Sequence, residues 1–143
     1  MEVILRPIKI EDLDIVFQWR NHPEVRKNSF NKDEISRSEH FNYWKRRIGE
    51  AENYSFMAMA DGKSIGLVRL DKRPDSYEVH VMVAPNLRGM GLGSKMIEKT
   101  KENAKKLGMN KLTARILPGN DSSQSIFRKN GFVGGPEEFY CTL

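Results

Sequence analysis

A strand that leads through a glycine-rich turn into an amphipathic helix constrains the fold of this chain most. Residues 79–83 are Val-His-Val-Met-Val, and residues 88–94 are Arg-Gly-Met-Gly-Leu-Gly-Ser. From about Gly93 to Leu107, apolar residues recur with helical spacing. A glycine turn ahead of a helix aims several unpaired backbone N–H groups at one point, with the positive end of the helix dipole behind them. The segment therefore predicts a site for an anion, and a phosphate fits it best.

The motif around this turn narrows the choice of phosphate ligand. No Gly-Lys-Ser/Thr follows, so it is not a Walker loop, and no acidic residue at a strand end about 20 residues on completes a dinucleotide fingerprint. Arg88-x-x-Gly91-x-Gly93 does match the pyrophosphate loop of the GNAT acetyltransferases, and the preceding Val-x-Val-Ala-Pro is similar to that family's acetyl-CoA strand. Residues 120–132, Asn-x-x-Ser-x-x-Ile-Phe-x-x-x-Gly-Phe, resemble its second cofactor segment. Two motifs in the right order make the resemblance strong.

Length and composition predict one domain over residues 1–143. The opening residues are too short and too acidic for a signal peptide, and no apolar run approaches the length of a membrane span. We therefore expect a cytoplasmic protein without membrane contact. The single cysteine, Cys141, excludes an internal disulfide and a cysteine-rich metal site, and no metal is expected. The net charge of +5 comes from basic residues scattered among acidic ones, which argues against nucleic acid. A solvated surface or an anionic ligand explains its sign equally well.

The remaining pattern predicts a mixed α/β order, β-α-α-β-β-β-α-β-α-β. Strands are predicted at 2–8, 54–60, 64–70, 77–83, 111–117 and, as one or two closing strands, within 132–142. Helices are predicted from the cap Asp12 through Arg20, as a short turn at 24–29, from the capping box at 36–39 to Ile48, at 93–107, and from Asn120 to Asn130. Met96, Ile97, Thr100, Ala104 and Leu107 form the predicted apolar stripe of the fourth helix.

The GNAT resemblance implies a fold, a co-substrate and its contacts. The implied fold is an α/β (mixed α+β) acyl-CoA N-acyltransferase fold. Its mostly antiparallel sheet splays between strands 4 and 5, and about four helices flank it. Acetyl-CoA would lie in that wedge and give its acetyl group to a primary amine by direct attack. The implied cofactor-binding residues are Met82, Val83, Arg88, Gly89, Met90, Gly91, Leu92, Gly93, Ser94, Asn120, Ser123 and Phe127.

Acetyl transfer needs a neutral amine, so the strand beside the wedge is the place to look for a base. Glu78, His80 and Met82 share one face of that strand, because side chains alternate with period two. Glu78 and His80 are therefore the candidate catalytic bases, acting directly or through water. The alternative is that His80 is a half-buried sheet residue and that Glu78 pairs with Arg69 across the strands.

The chain departs from the family where many members carry a tyrosine that protonates the departing thiolate. The matching residue is Phe127, which has no proton to give. Tyr77, Ser123 and Tyr140 are weak candidates for the role. A thiol like that of cysteine has a pKa of about 8.5, so the thiolate can also leave near neutral pH and take a proton from water.

The first 50 residues resemble two branches of the family. One acetylates nucleotide-linked amino sugars, and the other acetylates N-terminal amines of ribosomal proteins. The predicted substrate-binding residues are Trp19 and Trp44, whose rings can stack on a sugar or base, and Arg20 and Arg26, which can grip phosphates. The alternative is that both tryptophans are core residues at helical spacing.

Three functions follow from these patterns. The leading prediction is an acetyl-CoA-dependent N-acetyltransferase whose acceptor is a small amino-sugar nucleotide. The second is a protein N-terminal acetyltransferase, which would need an open groove. The third is a non-catalytic CoA-binding module. The partner is expected to be a small-molecule amine, and the resemblance allows a homodimer.

Overall fold

The computed structural model describes residues 2–143 and contains one twisted sheet. Its strands are β1 Ile4–Pro7, β2 Tyr54–Ala60, β3 Lys63–Lys72, β4 Tyr77–Val83, β5 Lys111–Arg115, β6 Val133–Gly134 and β7 Glu138–Thr142. They lie side by side in the order β1-β2-β3-β4-β5-β7-β6. Every neighbouring pair is antiparallel except β4 and β5, which are parallel because a helical crossover joins them.

Five α-helices occur within the described residues, against about four predicted. They are α1 Leu13–Asn21, α2 Pro23–Arg26, α3 Arg37–Ile48, α4 Leu92–Lys106 and α5 Asp121–Lys129. The fifth is the single turn α2, which overlaps the short turn predicted at 24–29 and begins on a proline because the missing N–H is not needed at a first helical position. The predicted element order and the mostly antiparallel mixed α/β fold are confirmed. Strands β1 and β5 are shorter than predicted.

Helices cover both faces of the sheet, since alternate strand residues point to opposite sides. Helices α1 and α3 pack on one face over Ile8, Leu13, Val16, Trp19, Trp44, Met57, Leu67 and Ala84. Helices α4 and α5 pack on the other face over clusters that include Leu70, Val79, Ile97, Leu112, Phe127, Phe132 and Phe139, and Ala58, Val68, Leu92 and Met96. No helix among residues 2–143 is long and apolar enough to cross a bilayer.

The sheet opens between β4 and β5, as predicted. The two strands pair only at Tyr77 with Leu112 and at Glu78 with Thr113. Beyond Glu78, β4 continues to Val83 along β3 alone. The backbone of His80 to Val83 is therefore free on the side that faces β5, and a wedge opens there.

Some predicted element ends differ from the structure. Ile48 and Leu107 were expected on apolar helix faces, but their side chains are 38% and 45% exposed. Ile48 is the last residue of α3, and Leu107 is the C-cap of α4. Beyond α4, Met109 covers the core in place of Leu107.

Asp12 precedes α1 as predicted, but its carboxylate does not cap that helix. It accepts two hydrogen bonds from the Arg6 guanidinium, each 2.8 Å long, and one from the Lys9 backbone N–H. A bidentate cation outcompetes a cap hydrogen bond for the same oxygens. The Arg6 hydrogen bond, opposed by burial and aided by the Lys9 N–H, holds the pKa of Asp12 below its ordinary value.

Replacing Asp12 with asparagine should lower the free energy of unfolding by about 1 kcal/mol at pH 7, because the pair is partly solvent-screened. Since the folded-state pKa of Asp12 is lowered, its stabilisation is present above about pH 4 and is lost as the pH falls further. Urea unfolding of both proteins at pH 7 and at pH 3 measures this, and the difference should shrink at pH 3. Asp14→Asn is the control, since Asp14 forms only an exposed pair with Arg37. A constant difference at both pH values would contradict the assignment.

Candidate active site

A cavity of about 800 Å³ occupies the wedge between β4 and β5 and extends under α1 and α3. It brings together most of the predicted site residues. Those in its wall are Arg20, Trp44, Glu78, His80, Met82, Val83, Arg88, Gly89, Gly91, Leu92, Gly93, Asn120, Ser123 and Phe127. Those outside it are Trp19, Arg26, Met90 and Ser94.

The glycine turn forms one end of the cavity. After β4, a 3-10 turn over Pro85–Leu87 leads into the loop, where Gly89 and Gly91 have φ of 80° and 74°. Gly91 is the N-cap of α4 and offers no side chain to the first helical N–H groups. Those donors and the positive end of a 15-residue helix therefore face the cavity, with Arg88 beside them. This is a cradle for an anion such as a pyrophosphate.

Gly93 differs from Gly89 and Gly91 in its backbone geometry. It lies inside α4 with ordinary helical geometry and is absent from the residues with positive φ. A Cβ at this position would come within 3.4 Å of the Ile126 side chain and 3.5 Å of the Val83 side chain. A glycine here lets α4 approach both α5 and the end of β4 closely.

The second predicted cofactor segment forms the adjoining part of the wall. Asn120 is the N-cap of α5, and its Oδ1 accepts a hydrogen bond from the Ser123 N–H at 3.2 Å. Phe127 is buried and packs edge-on against Phe132, with ring centroids 4.9 Å apart. Of the three weak candidates for a proton donor, Ser123 lines the cavity and Tyr77 and Tyr140 do not.

His80 lies at the centre of the cavity wall between two carboxylates. Its Nε2 is 3.1 Å from Asp71 Oδ2 and 3.1 Å from Glu78 Oε2. Each carboxylate also has its own arginine: Arg47 is 2.5 Å from Asp71, and Arg73 is 3.0 Å from Glu78. The predicted alternative pairing of Glu78 with Arg69 is wrong, because the strand register places Arg69 opposite His80 and Glu78 opposite Asp71.

Asp71 stays ionised in this setting although it is buried. Burial raises its pKa, but the close contact with His80 Nε2 and the charges of Arg69, His80 and Arg47 outweigh that effect and lower the pKa far below the ordinary value. A second histidine, His40, also lines the cavity, but its surroundings do not suit a catalytic base. Its Nε2 lies 2.9 Å from the Leu13 carbonyl, and burial lowers its pKa.

Arginines surround the other end of the cavity. Arg20 and Arg69 line it, and neither forms a salt bridge with a carboxylate among residues 2–143. Arg20 donates to the Asp33 backbone carbonyl, and Arg69 donates to the Tyr43 hydroxyl. Burial, together with the charges of Arg26 and Arg69, lowers the pKa of Arg20. Crowded, unneutralised cations in a cavity wall favour an anionic ligand.

Four predicted site residues have other surroundings. Trp19 is 6% exposed and belongs to the core under α1 and α3, and Trp44, though it lines the cavity, is 5% exposed in the same core, so the alternative interpretation as core residues fits both. Arg26 donates to the Asn21 carbonyl and lies 4.0 Å from Glu34, turned away from the cavity. The Met90 side chain projects into solvent, and Ser94 Oγ accepts a hydrogen bond from the Asn130 side chain.

Several residues in or behind the cavity wall were missed. They are Arg47, Arg69, Asp71, Arg73 and Arg115. Arg69 and Asp71 carried a usable signal. They interrupt an apolar strand at alternate positions on the face that also bears Leu67, and charges on a covered face are seldom without a partner or a function. Arg47 gave no comparable signal within its charged helix.

The residues match a known family model. The model of the GNAT acetyltransferase domain covers residues 2–133, so the chain belongs to the GNAT acetyltransferase family. The predicted superfamily and its acetyl-CoA co-substrate are thereby confirmed. The open cradle at Gly91 fits the pyrophosphate of that molecule. No group of three His, Cys, Asp or Glu side chains within residues 2–143 is arranged to hold a metal ion.

Two curated relatives and two solved structures illustrate the likeness. An uncharacterized protein of Methanocaldococcus jannaschii is 24% identical over 92% of this chain, which spans 28% of that protein. The spermidine N(1)-acetyltransferase of Escherichia coli is 26% identical over 91% of this chain and 72% of its own. Spermidine N-acetyltransferase from Vibrio cholerae, solved with CoA and spermine, superposes with a TM-score of 0.89 at 19% identity, covering 99% and 95% of the two chains. AAC(6')-Ib, solved with ribostamycin and coenzyme A, gives 0.86 at 17% identity, covering 99% and 94%.

Proposed function

We propose that this chain acetylates the primary amine of a small molecule that also carries phosphate, and that this acceptor is an amino-sugar nucleotide. The pair Arg20 and Arg69 carries the proposal, because these two cations line the cavity without a salt bridge to a carboxylate among residues 2–143. One anion site serves the co-substrate, and the second remains for the acceptor. Hydrogen bonds from arginine to phosphate are among the strongest that a side chain makes.

The charge of the cavity argues against a polyamine acceptor. Spermidine is a substrate of the E. coli relative by its name, and it carries several positive charges. In this cavity it would meet Arg20, Arg69 and Arg115, while Arg73 already neutralises the nearest carboxylate, Glu78. Repulsion between the ammonium groups of spermidine and these guanidinium groups would weaken its binding.

The shape of the acceptor end favours a small molecule over a polypeptide N-terminus. The segment 28–31 and Ile35 line this end together with α1, α3 and β4, so an acceptor would meet side chains from several segments. Trp44 also lines that wall, although it is 5% exposed and belongs mainly to the core under α1 and α3.

The roles of the individual residues follow from this proposal. The pyrophosphate of acetyl-CoA is held by the loop Arg88–Gly93 and the first N–H groups of α4. The free backbone of Met82 and Val83 binds the pantetheine arm and donates to the thioester oxygen, where charge develops. The side of the wedge beyond the cofactor is bordered by Asn120, Ser123 and Phe127. With Phe127 unable to donate, the thiolate takes its proton from water or from the acceptor amine.

Release of free thiol from acetyl-CoA, followed with a thiol dye, tests the proposal against a panel of acceptors. The panel contains a UDP-linked 4-amino sugar, spermidine, and short peptides with free Ala or Ser N-termini. Turnover should be greatest with the sugar nucleotide. Preference for spermidine or a peptide would replace the proposed acceptor. If no acceptor supports thiol release while acetyl-CoA still binds in calorimetry, the result would favour a non-catalytic CoA-binding module.

A further inference from the structure

The environment of His80 differs sharply between its two ring nitrogens. Its side chain is 35% exposed and lines the cavity, yet its Nε2 has almost no accessible surface. That nitrogen is turned into the sheet, toward Asp71 Oδ2 and Glu78 Oε2, with its N–H directed along neither contact. Because Nε2 is buried, Nδ1 is the ring nitrogen that remains to meet a molecule in the cavity.

This burial decides which nitrogen holds the proton in the neutral ring. A carboxylate accepts hydrogen bonds and donates none, so two carboxylates at 3.1 Å favour a proton on Nε2. The remaining nitrogen, Nδ1, then keeps its lone pair. In a catalytic triad, a buried carboxylate holds a histidine in its working tautomer by the same logic.

We propose that Asp71, backed by Arg47, is the positioning residue that makes His80 Nδ1 the base of acetyl transfer, with Glu78 as a second electrostatic support. The inference rests on the proposed function in requiring an acceptor that arrives as an ammonium ion. His80 Nδ1 takes one ammonium proton. The freed amine forms the C–N bond at the thioester carbon, the C–S bond breaks, and the second nitrogen proton goes to sulfur. His80 then returns its proton to water.

The charges around His80 explain why Glu78 is not itself the base. Glu78 and Asp71 face the ring from β4 and β3, and their arginines, Arg73 and Arg47, approach from the β3–β4 turn and from α3. Arg69 lies opposite His80 on β3 and is held by Tyr43. Glu78 and His80 both line the cavity, but the Glu78 carboxylate is bound to the Arg73 guanidinium, and the Asp71 carboxylate is bound to Arg47.

Kinetics against pH distinguish a base and its positioning residue from residues that only maintain the fold. With the UDP-linked 4-amino sugar as acceptor, His80→Asn should lower kcat about 100-fold at pH 7, within the usual range for a general base. Asp71→Asn should lower kcat about 10-fold, with KM for the acceptor changed less than about 2-fold, since the base is mispositioned but the acceptor pocket is intact. Near pH 9.5 the solvent deprotonates the amine, so both losses should shrink to about 3-fold. The matched control, Asp14→Asn, should match wild type at every pH.

Three kinetic outcomes would overturn the proposal. Losses of kcat that stay constant across pH would show that His80 and Asp71 have only a structural role. A His80→Asn enzyme with wild-type kcat would show that His80 is not the base. If Glu78→Gln lost more activity than His80→Asn, Glu78 would replace His80.

A second readout requires no turnover. Long-range proton–nitrogen spectra of protein with ¹⁵N-labelled histidine report which ring nitrogen bears hydrogen, and the chain has only three histidines to assign. Neutral His80 should be protonated on Nε2 in wild type, and Asp71→Ala should raise the share protonated on Nδ1. A wild-type proton on Nδ1 contradicts the inference even if the Asp71 variants fail to fold. If no acceptor in the panel turns over, the proposed acceptor fails while this spectrum still tests the tautomer.

Discussion

Replacing Gly91 with valine is expected to weaken acetyl-CoA binding at least tenfold while leaving the protein folded. Gly91 has a φ of 74°, which a β-branched residue adopts only at a cost of about 1–2 kcal/mol. No atom lies within 4 Å of the Cβ position, so the loop and not the core must change. The loop then loses the shape that directs the first N–H groups of α4 at one point. A loss of 1.4 kcal/mol corresponds to a tenfold change in the dissociation constant.

Gly62→Val is the matched control for this experiment. Gly62 has a φ of 76° in the β2–β3 hairpin, again with no atom within 4 Å of the Cβ position, and it does not line the cavity. Both variants should lose similar stability in thermal unfolding, and only Gly91→Val should lose affinity in calorimetry. Unchanged affinity in Gly91→Val would show that the loop is not the co-substrate site.

Replacing both Arg20 and Arg69 with glutamine should raise KM for the UDP-linked acceptor by about 100-fold. Each lost hydrogen bond between a cation and a phosphate is worth about 1.5–3 kcal/mol, and the two are not fully additive. The dissociation constant of acetyl-CoA should change less than about 2-fold, because its cradle is formed by other residues, the loop at 88–93 and the start of α4. Steady-state kinetics and calorimetry give the two numbers.

Arg46→Gln is the control for this double variant. Arg46 belongs to the exposed face of α3 and contacts only Glu50 and the Tyr43 ring. The KM of the Arg46→Gln variant for the UDP-linked acceptor should equal that of the wild-type protein. A double variant that lost affinity for acetyl-CoA and acceptor alike would place both arginines at the co-substrate, and an unchanged KM would remove phosphate from the acceptor site.

The parts of the site that the sequence predicts well are those encoded within a short segment. The loop at 88–94 and the cap at Asn120 each combine a turn and the helix that follows it. Their glycines and capping residue act on neighbours only a few positions away. The structure accordingly places the loop and the Asn120 segment in the wall of one cavity. Gly93 is the exception in this loop, because the need for glycine there comes from close packing against α5, which is distant in sequence.

The parts that escaped prediction depend on contacts between distant segments. Asp71 lies beside His80 because of the register of β3 with β4, and Arg47 reaches Asp71 from α3. A shift of register would exchange these neighbours, which is why the predicted pairing of Glu78 with Arg69 failed. Trp19 shows the same limit: helical spacing suits a core residue and a stacking residue equally, and only packing tells them apart.

The most direct test of the proposed acceptor compares one amino sugar with and without its nucleotide. The quantity to measure is kcat/KM for a UDP-linked 4-amino sugar relative to the same amino sugar in its free form, at saturating acetyl-CoA. The arginine pair predicts a ratio of at least about 100, and a ratio that falls to near 1 in the Arg20 and Arg69 double variant. Equal kcat/KM values for the two sugars in the wild-type protein would contradict the account.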